Sequence, residues 1–266
     1  MMSSGEWVLR DCMFSAARLV YDYGLVRRTY RKRGVIAAAG RVRSIAFVYV
    51  RQVLLRFFLR KDRTFALRGR TYPYFWHWHV TTFLNERSVE TPIVVDEVRR
   101  RRPERLLEFG NVLSHYFGCS HAVVDKYEIA PRVSNVDVVD YAADGLFDMI
   151  ISISTLEHVG WDETPRESDK TIRAVENLRK FLAPGGRLVF TFPLGYNPHL
   201  DAHVAAGRLP FTEVQYLRRI NFNNQWVEAT ATEVDGAMYG SPYVHGNAIA
   251  VGILDADPPS QPAQPS

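Results

Sequence analysis

The chain has 266 residues, 47% of them hydrophobic, which is enough to bury the core of one large domain or of one domain with an appendage. Its net charge of +4 is unevenly distributed, because residues 1–70 carry 16 Lys and Arg against 4 Asp and Glu while the remainder is net negative. Cys12 and Cys119 lack C-x-x-C spacing, which argues against a zinc knuckle or a disulfide framework and favours a cytoplasmic protein. We expect neither secretion nor a membrane span, since no uncharged apolar stretch of about 18 residues occurs.

The N-terminal extension, residues 1–87, is predicted to be basic and mainly helical. Its segment 41–63, RVRSIAFVYVRQVLLRFFLRKDR, mixes arginines with the apolar residues Phe47, Leu54, Phe57 and Phe58. Two interpretations are open. Residues 1–70 attach to an anionic membrane at its inner face, with arginines reaching the lipid headgroups, or the helix packs on the main domain with its arginines in water. No nucleic-acid-binding motif accompanies the charge, so no nucleic-acid partner is expected.

The middle of the chain changes from an aromatic segment to a regular α/β pattern. Residues 72–79, YPYFWHWH, are predicted to cover an apolar surface or a pocket wall. From about residue 104 the apolar runs RLLEF, HAVVD, FDMIISIS and RLVFTFP predict strands buried on both faces of a parallel sheet. Between the last two runs, a helix is predicted that ends at Pro184-Gly185-Gly186, with one apolar face formed by Ile172, Val175, Leu178 and Leu182.

This alternation predicts an α/β domain over residues 88–255, with helices on both faces of its sheet. Residues 256–266, which are rich in proline, are predicted to form a disordered tail.

The stretch LLEFGNVLSHYF, residues 106–117, predicts a strand that runs into a glycine turn and a short helix. In nucleotide-binding α/β folds this is where free backbone N–H groups meet the polar groups of a cofactor. Fifteen residues after Gly110, the next apolar run ends in Asp125, whose carboxylate is a candidate ligand for ribose hydroxyls. An acid at the end of a strand is also a common helix cap or turn residue, so this pair alone leaves both interpretations open.

A longer, ordered set of motifs carries a family resemblance. VVDYAADGLFDMIISISTLEHVGWDE followed by LRKFLAPGGRLVFTFPLGYN resembles the class I S-adenosylmethionine-dependent methyltransferases, over roughly residues 104–195. Chains of that family commonly read an acid after strand three, FD opening strand four, LEHV after it, and L-x-P-G-G-x-L into strand five. The resemblance implies a Rossmann-like class I methyltransferase sheet and S-adenosylmethionine as cofactor.

By position, the resemblance assigns cofactor contacts to three places. It implies that the loop after strand one holds the methionine end of the cofactor, the acid after strand two the ribose, and the acid after strand three the adenine amino group. A further contact is expected just after strand four. The implied cofactor-binding residues are Glu108, Gly110, Asn111, Asp125, Asp140 and Ser154.

The chain departs from the family in this first loop. Where the pattern E-x-G-x-G-x-G has its second and third glycines, the chain has Val112 and Ser114, which crowd the approach of a cofactor. Asn111 tolerates a left-handed turn and Ser114 can cap the following helix, so we expect the loop to turn with Gly110 alone. The alternative is that cofactor binding has been lost.

The segment STLEHVGWDE is expected to lie beside the transferred methyl group. Glu157 and His158 are candidate catalytic proton acceptors, since methylation of a hydroxyl requires removal of its proton and histidine is matched to neutral pH. The competing interpretation is a structural turn, with Glu157 as a cap and His158 packed.

Acceptor contacts are expected from the loop FPLGYNPHLDAHV and from the late segment YGSPYVHGNAIAVGIL. The candidate substrate-binding residues are Tyr196, Asn197, His199 and Tyr239. We predict no metal site, because the alternate spacing of His199, Asp201 and His203 is common by chance and lacks a distant further ligand.

The function predicted from the sequence is methyl transfer to an oxygen or nitrogen nucleophile. The acceptor is expected to be a small molecule or a glycan, and a lipid-linked or cell-envelope glycan fits the basic, apolar extension. Two alternatives remain. One is a non-catalytic binding or scaffold protein with the same fold. The other, an enzyme that uses a nicotinamide cofactor, is disfavoured because no G-x-G-x-x-G follows the first strand of the domain.

Overall fold

The computed structural model describes residues 16–58, 63–77, 79–118 and 120–257. Its helices are α1 (Ala16–Phe58), α2 (Arg87–Arg101), α3 (Lys170–Arg179), α4 (Pro198–Ala205) and α5 (Ala231–Val234). Its strands are β1 (Thr64–Leu67), β2 (Arg70–Pro73), β3 (Leu106–Phe109), β4 (Ala122–Val124), β5 (Val133–Ser134), β6 (Phe147–Ile153), β7 (Leu182–Pro193), β8 (Glu213–Arg219), β9 (Trp226–Ala229) and β10 (Ala248–Asp255). Cys12, Cys119 and residues 258–266 of the predicted tail lie outside the described residues.

The domain is built on one eight-stranded sheet with the order β5-β4-β3-β6-β7-β10-β8-β9. The strands β3 to β7 are parallel, whereas β10 is antiparallel to both of its neighbours, β7 and β8. In chain order the parallel strands are arranged 3-2-1-4-5, so the direction of winding reverses between β3 and β6. This is the doubly wound arrangement, in which ligands bind outside the carboxyl ends of the strands at the reversal point.

Alternate residues of the central strands pack into two separate cores. Leu106 and Ile151 belong to a cluster on one face that includes the buried side of α2, whereas Leu107 and Ile150 belong to a cluster on the other face that includes α3 and α4. Each fully buried Val, Leu or Ile side chain contributes about 1.5–3 kcal/mol to the stability of the fold. The prediction of strands buried on both faces, with helices on each side, is confirmed.

One residue of the predicted helical face lies elsewhere. Ile172, Val175 and Leu178 are in α3, but Leu182 begins β7, where it pairs with Phe147. The helix therefore ends at Arg179, and Pro184-Gly185-Gly186 lies within strand β7, which begins at Leu182. Sheet pairing with β6 decides the conformation of residues 182–186, which local helical spacing alone could not reveal.

The aromatic segment covers an apolar surface, as predicted. Tyr74 and Phe75 pack against the core cluster on the α2 side of the sheet, and the Phe75 ring lies 5.0 Å from the ring of Tyr116. The preceding β1–β2 hairpin contributes Phe65 and Tyr72 to the same cluster. The division of the chain at residue 87 stays a prediction, and residues 64–75 share the core of the sheet.

The helix α1 forms the described part of the predicted helical extension. Gly34 interrupts it with a non-helical backbone (φ 78°, ψ −175°), which divides it into two segments. None of the helices in the described ranges is both long enough and apolar enough to cross a membrane.

Candidate functional site

A cavity of about 600 Å³ lies at the point where the order of winding reverses, between β3 and β6. Its walls come from the loops that follow β3, β4 and β6, together with the start of α2. Among the residues that line it are Arg87, Asn111, Asp125, Asp137, Ser154 and His158. The cavity therefore unites side chains from distant parts of the chain at the edge of the sheet where the topology predicts a ligand site.

The loop after β3 turns at Gly110, which adopts a left-handed conformation (φ 85°). A Cβ atom at this position would lie 2.1 Å from Oγ1 of Thr155, so only glycine fits beneath this side chain. The expected helix is a short 3-10 segment, Leu113–His115, and Ser114 hydrogen-bonds to the side chain of Asn111 instead of capping it. The loop thus turns with one glycine, as predicted, but neither Asn111 nor Ser114 acts as expected.

The buried carboxylate of Glu108 holds this loop. Its Oε1 atom accepts hydrogen bonds from the backbone N–H groups of Val112 (2.9 Å) and Leu113 (2.8 Å), and its Oε2 atom lies 2.7 Å from Nε2 of His121. Glu108 has no solvent exposure and faces its own loop. The resemblance implied a cofactor contact for Glu108, and the geometry makes it the support of the loop that borders the cavity.

We predict that Glu108→Leu lowers the free energy of unfolding by about 1–3 kcal/mol, because the N–H of Leu113 loses its acceptor while the N–H of Val112 keeps the carbonyl of Gly110. Urea unfolding would measure the difference. Glu104→Leu, which replaces an exposed carboxylate just before β3, is the matched control and should have little effect. Equal losses in the two variants would contradict the supporting role of Glu108.

Asp125, at the end of β4, turns one carboxylate oxygen toward the backbone and the other toward the cavity. Its Oδ1 atom accepts N–H groups from Tyr127 and Glu128, both at 2.8 Å. Within the part of the chain that the structure describes, its Oδ2 atom has one hydrogen bond, 3.4 Å long, from the N–H of Asn111. Asp125 is therefore both the turn residue of one interpretation and a carboxylate that can still accept ligand hydroxyl groups.

After β5, the acid that lines the cavity is Asp137, three residues before the predicted Asp140. Asp140 is exposed and is not among the cavity-lining residues, whereas Asp137 lines the cavity and accepts hydrogen bonds from Lys126 (2.8 Å) and Lys170 (2.6 Å). Burial raises the pKa of Asp137, but the two lysine hydrogen bonds outweigh it and lower the pKa to about 2. Glu163 bridges the same lysines. This wall thus carries an ionised cluster that the spacing of the sequence did not indicate.

His158 is part of a hydrogen-bonded group centred on Asp162. Oδ2 of Asp162 lies 2.6 Å from Nδ1 of His158 and accepts the phenol hydroxyl of Tyr196 at 2.8 Å. Burial raises the pKa of Asp162, but the hydrogen bonds from His158 and Tyr196 give a net lowering, so its carboxylate is ionised. An ionised acceptor places the proton of a neutral imidazole on Nδ1 and leaves Nε2 as the basic nitrogen.

Glu157 differs from His158 in burial and charge. Its side chain is almost fully buried, and its Oε2 atom has no hydrogen-bond partner in the described residues. Burial, together with the neighbouring charge of Glu90, raises its pKa well above the ordinary value. Glu157 is buried and is not among the residues that line the cavity, whereas the imidazole of His158 is exposed, lines the cavity and is oriented by Asp162, so the geometry favours His158 over Glu157 as proton acceptor.

Glu90 on α2 is a second buried carboxyl group beside the cavity. Its Oε2 atom accepts the hydroxyl of Ser154 at 2.6 Å and lies 3.7 Å from Nε of Arg87. Burial raises the pKa of Glu90 to about 7, against the charge of Arg87. Ser154, predicted as a cofactor contact, lines the cavity while its hydroxyl is engaged with Glu90.

We predict that the free energy of unfolding decreases as pH rises from about 5 to 8, partly because of Glu90. A folded-state pKa near 7 against an ordinary value of 4.5 means that the folded protein keeps a proton that the unfolded chain has lost. The stabilisation is complete below pH 4.5 and is lost as pH passes 7. Glu90→Gln, which is neutral throughout, should flatten this decrease in urea titrations at several pH values. The control Glu104→Gln should keep the full slope, and an unchanged slope in Glu90→Gln would refute the assignment.

The four predicted substrate-binding residues divide into two groups. The ring of Tyr196 lies 4.9 Å from His158 and 5.1 Å from Tyr239, so these two tyrosines gather beside the candidate base. Asn197 is buried and caps α4, accepting the N–H groups of His199 and Leu200 and donating to the carbonyl of Glu157. His199 is exposed and stacks edge-on with Trp161 at 5.7 Å. Asn197 thus has a structural role, and His199 lies outside the cavity.

Sequence reasoning missed Asp162, Asp137 and the pair Arg87–Glu90. The spacing of Asp162, four residues after His158, is one that brings side chains together and could have indicated it. Arg87 and Glu90 lie before the first strand of the sheet, in a region with no motif, and only the packing of α2 brings them to the cavity.

No protein-family model and no curated protein sequence matches the chain. Among solved structures, it is similar to the N-methyltransferase NodS from Bradyrhizobium japonicum in complex with S-adenosyl-L-homocysteine, with 16% identity and a TM-score of 0.41 over 64% of this chain and 87% of that one. An S-adenosylmethionine-dependent methyltransferase from Clostridium acetobutylicum is 11% identical, with a TM-score of 0.35 over 63% and 91% of the two chains. The sugar N-methyltransferase KedS8 from Streptoalloteichus is 14% identical, with a TM-score of 0.33 over 62% and 87%. The strand order of the sheet confirms the predicted Rossmann-like, doubly wound α/β fold.

Proposed function

We propose that the protein is an S-adenosylmethionine-dependent methyltransferase that acts on an oxygen or nitrogen nucleophile. The observation that carries this proposal is one cavity at the reversal of the sheet that contains both Asp125, a carboxylate with an accepting oxygen, and His158, a base oriented by Asp162. A binding protein needs the first of these features, whereas an oriented base serves proton transfer.

The residues present fit S-adenosylmethionine. The Oδ2 atom of Asp125 has room to accept ribose hydroxyls, because its one hydrogen bond among the described residues is 3.4 Å long. Asn111, just after the turn at Gly110, lines the same cavity, and Arg87 adds a cation at the start of α2. When bound, this cofactor supplies an electrophilic methyl group on a sulfonium.

The chain's own residues would position the acceptor and remove its proton. Nε2 of His158 would accept the proton of a hydroxyl as it attacks, or take the proton of an ammonium group before the neutral amine attacks. The new bond to the methyl carbon forms as the methyl–sulfur bond breaks and the sulfur leaves as a neutral thioether. The carboxylate of Asp162 stabilises the resulting imidazolium through Nδ1, at 2.6 Å. Burial and the hydrogen bond to Asp162 raise the pKa of Tyr196, so its hydroxyl stays protonated and keeps Asp162 in place.

The acceptor that we propose is a small molecule or a glycan. The rings of Tyr196 and Tyr239 are 5.1 Å apart, and that of Tyr196 lies 4.9 Å from His158, which lines the cavity; aromatic surfaces beside a base suit an acceptor that has both apolar and hydroxyl-bearing surfaces. A lipid-linked or cell-envelope glycan would also account for the basic, apolar character of α1.

We predict that S-adenosyl-L-homocysteine binds the protein and that Asp125→Asn weakens binding by about 1.5–3 kcal/mol, the cost of a charged hydrogen bond. Asparagine keeps an oxygen for the backbone N–H groups but places an amide nitrogen where the ribose needs an acceptor. Isothermal titration calorimetry would measure the change. Asp140→Asn, outside the cavity, is the matched control. Absence of binding to the native chain at millimolar ligand would refute the cofactor assignment.

We predict that His158→Ala lowers turnover by roughly 10²- to 10⁴-fold, the range expected for loss of a general base, with little change in cofactor affinity. Asp162→Asn should also lower turnover, because asparagine cannot stabilise the imidazolium. Transfer of a labelled methyl group to a panel of sugars, phenols and amines would provide the assay. His199→Ala is the control, since His199 is exposed outside the cavity. If the native chain binds the cofactor but methylates no acceptor in the panel, the result would favour a non-catalytic binding protein over an enzyme.

A further inference from the structure

The second segment of α1 exposes large apolar side chains, of which Val35 and Val42 lie on one side and three others lie together on another. Ile36, Phe47 and Val50 have 90%, 65% and 57% of their surface exposed, and Arg43 is exposed between them. Positions 36, 43, 47 and 50 are separated by seven, four and three residues, which places them on the same side of a helix. Ala38, in contrast, is buried. One side of this segment is thus an apolar strip with an arginine at its centre.

The first segment of α1 repeats this arrangement with aromatic side chains. Tyr23 and Tyr30 are 67% and 55% exposed, and exposed Arg27 lies between them at helical spacing. Large exposed apolar surface on a soluble domain marks an interaction site. Both strips combine large exposed side chains with an arginine, so they fit one kind of partner.

The charge of α1 identifies the chemistry of that partner. Residues 16–58 contain ten Lys and Arg and a single acid, Asp22. A strongly cationic helix repels basic surfaces and attracts anionic ones, and each basic residue near an anionic lipid surface adds to the attraction. The partner must therefore be negatively charged and must also accept apolar side chains.

We propose that α1 lies on the surface of an anionic phospholipid bilayer. The apolar strip enters the boundary between headgroups and acyl chains, and the long side chain of Arg43 extends to the phosphates from within it. Tyrosine is favoured at the level of the lipid headgroups, which suits the exposed Tyr23 and Tyr30 of the first segment. The break at Gly34 allows the two segments to adopt different directions, so that both strips can face one bilayer.

Nucleic acid is the other anionic partner to consider. Its contacts with proteins are made mainly through phosphates and polar groups, and they do not require exposed isoleucine, phenylalanine and valine on the contacting helix. The apolar strip is the feature that distinguishes the two partners, and the test depends on it. Of the residues named from the sequence, Leu54, Phe57 and Phe58 lie where the structure describes the helix backbone and not the side chains.

The test is flotation of the full chain with vesicles of phosphatidylcholine alone and of phosphatidylcholine with phosphatidylglycerol, at low and high salt. The native chain should float with the acidic vesicles at low salt, less so at high salt, and not with the neutral vesicles. The triple variant Ile36→Ser, Phe47→Ser, Val50→Ser should reduce the bound fraction by at least about fivefold, because it removes the inserted apolar surface. All three side chains are exposed, so unfolding is not expected, and circular dichroism would verify this.

The matched control is the triple variant Ile129→Ser, Phe222→Ser, Val244→Ser. These residues are 91%, 71% and 70% exposed but lie outside α1, so this variant should float like the native chain. Equal losses in both variants, or flotation that the α1 variant leaves unchanged, would overturn the proposal. Absence of flotation together with tight binding of a DNA duplex, insensitive to the α1 substitutions, would overturn it in favour of nucleic acid.

Discussion

The candidate site depends on the carboxylate of Glu108. Its fully buried side chain accepts the backbone N–H groups of Val112, which it shares with the carbonyl of Gly110, and of Leu113. A buried carboxylate that accepts several hydrogen bonds is strongly held, and so is the chain that donates them. This constraint compensates for the loss of glycines from the loop, because it lets Val112 and Ser114 occupy a turn in which Gly110 alone is left-handed. The opening of the cavity between this loop and Asp125 follows from it.

Around the cavity, carboxyl groups in different surroundings have different charges. Asp137 and Asp162 receive hydrogen bonds from lysines, or from a histidine and a tyrosine, and are ionised in spite of partial burial. Glu90 and Glu157 are fully buried, and desolvation raises the pKa of both. A negative charge is thus retained where it can orient Lys170 or His158. At Glu90 and Glu157 burial outweighs the nearby charge of Arg87, and the pKa rises instead.

The net charge of the chain is small because two opposite charges cancel. The helix α1 is strongly basic, whereas the part of the chain after residue 70 is net negative. Charge separation of this kind gives the two parts different preferences for partners. It is compatible with an enzyme domain that keeps its site open to an acceptor while a basic helix engages another surface.

The sequence by itself determined the architecture, because strands buried on both faces have continuous apolar runs and the amphipathic helix α3 has an apolar face at helical spacing. The runs that predicted strands became β3, β4, β6 and most of β7. Their order along the chain, with the family resemblance, also pointed to Asp125 and His158, and the structure places both in one cavity at the edge of the sheet. Helical spacing assigned Leu182 to the helix, and this was wrong. Leu182 pairs with Phe147 of β6, and that contact, across 35 residues of sequence, overrides the local spacing.

Only the tertiary structure decided which polar groups meet. Asp137 rather than Asp140 lines the cavity, Asn197 supports α4, and Glu90 reaches Ser154 across 64 residues of sequence. The charge of a carboxyl group depends on burial and on partners that are distant in the chain, and neither is encoded in residue type or spacing. The sequence therefore determined where a site forms. The packing of α2 and of the loop after β6 decided which side chains are ionised within it.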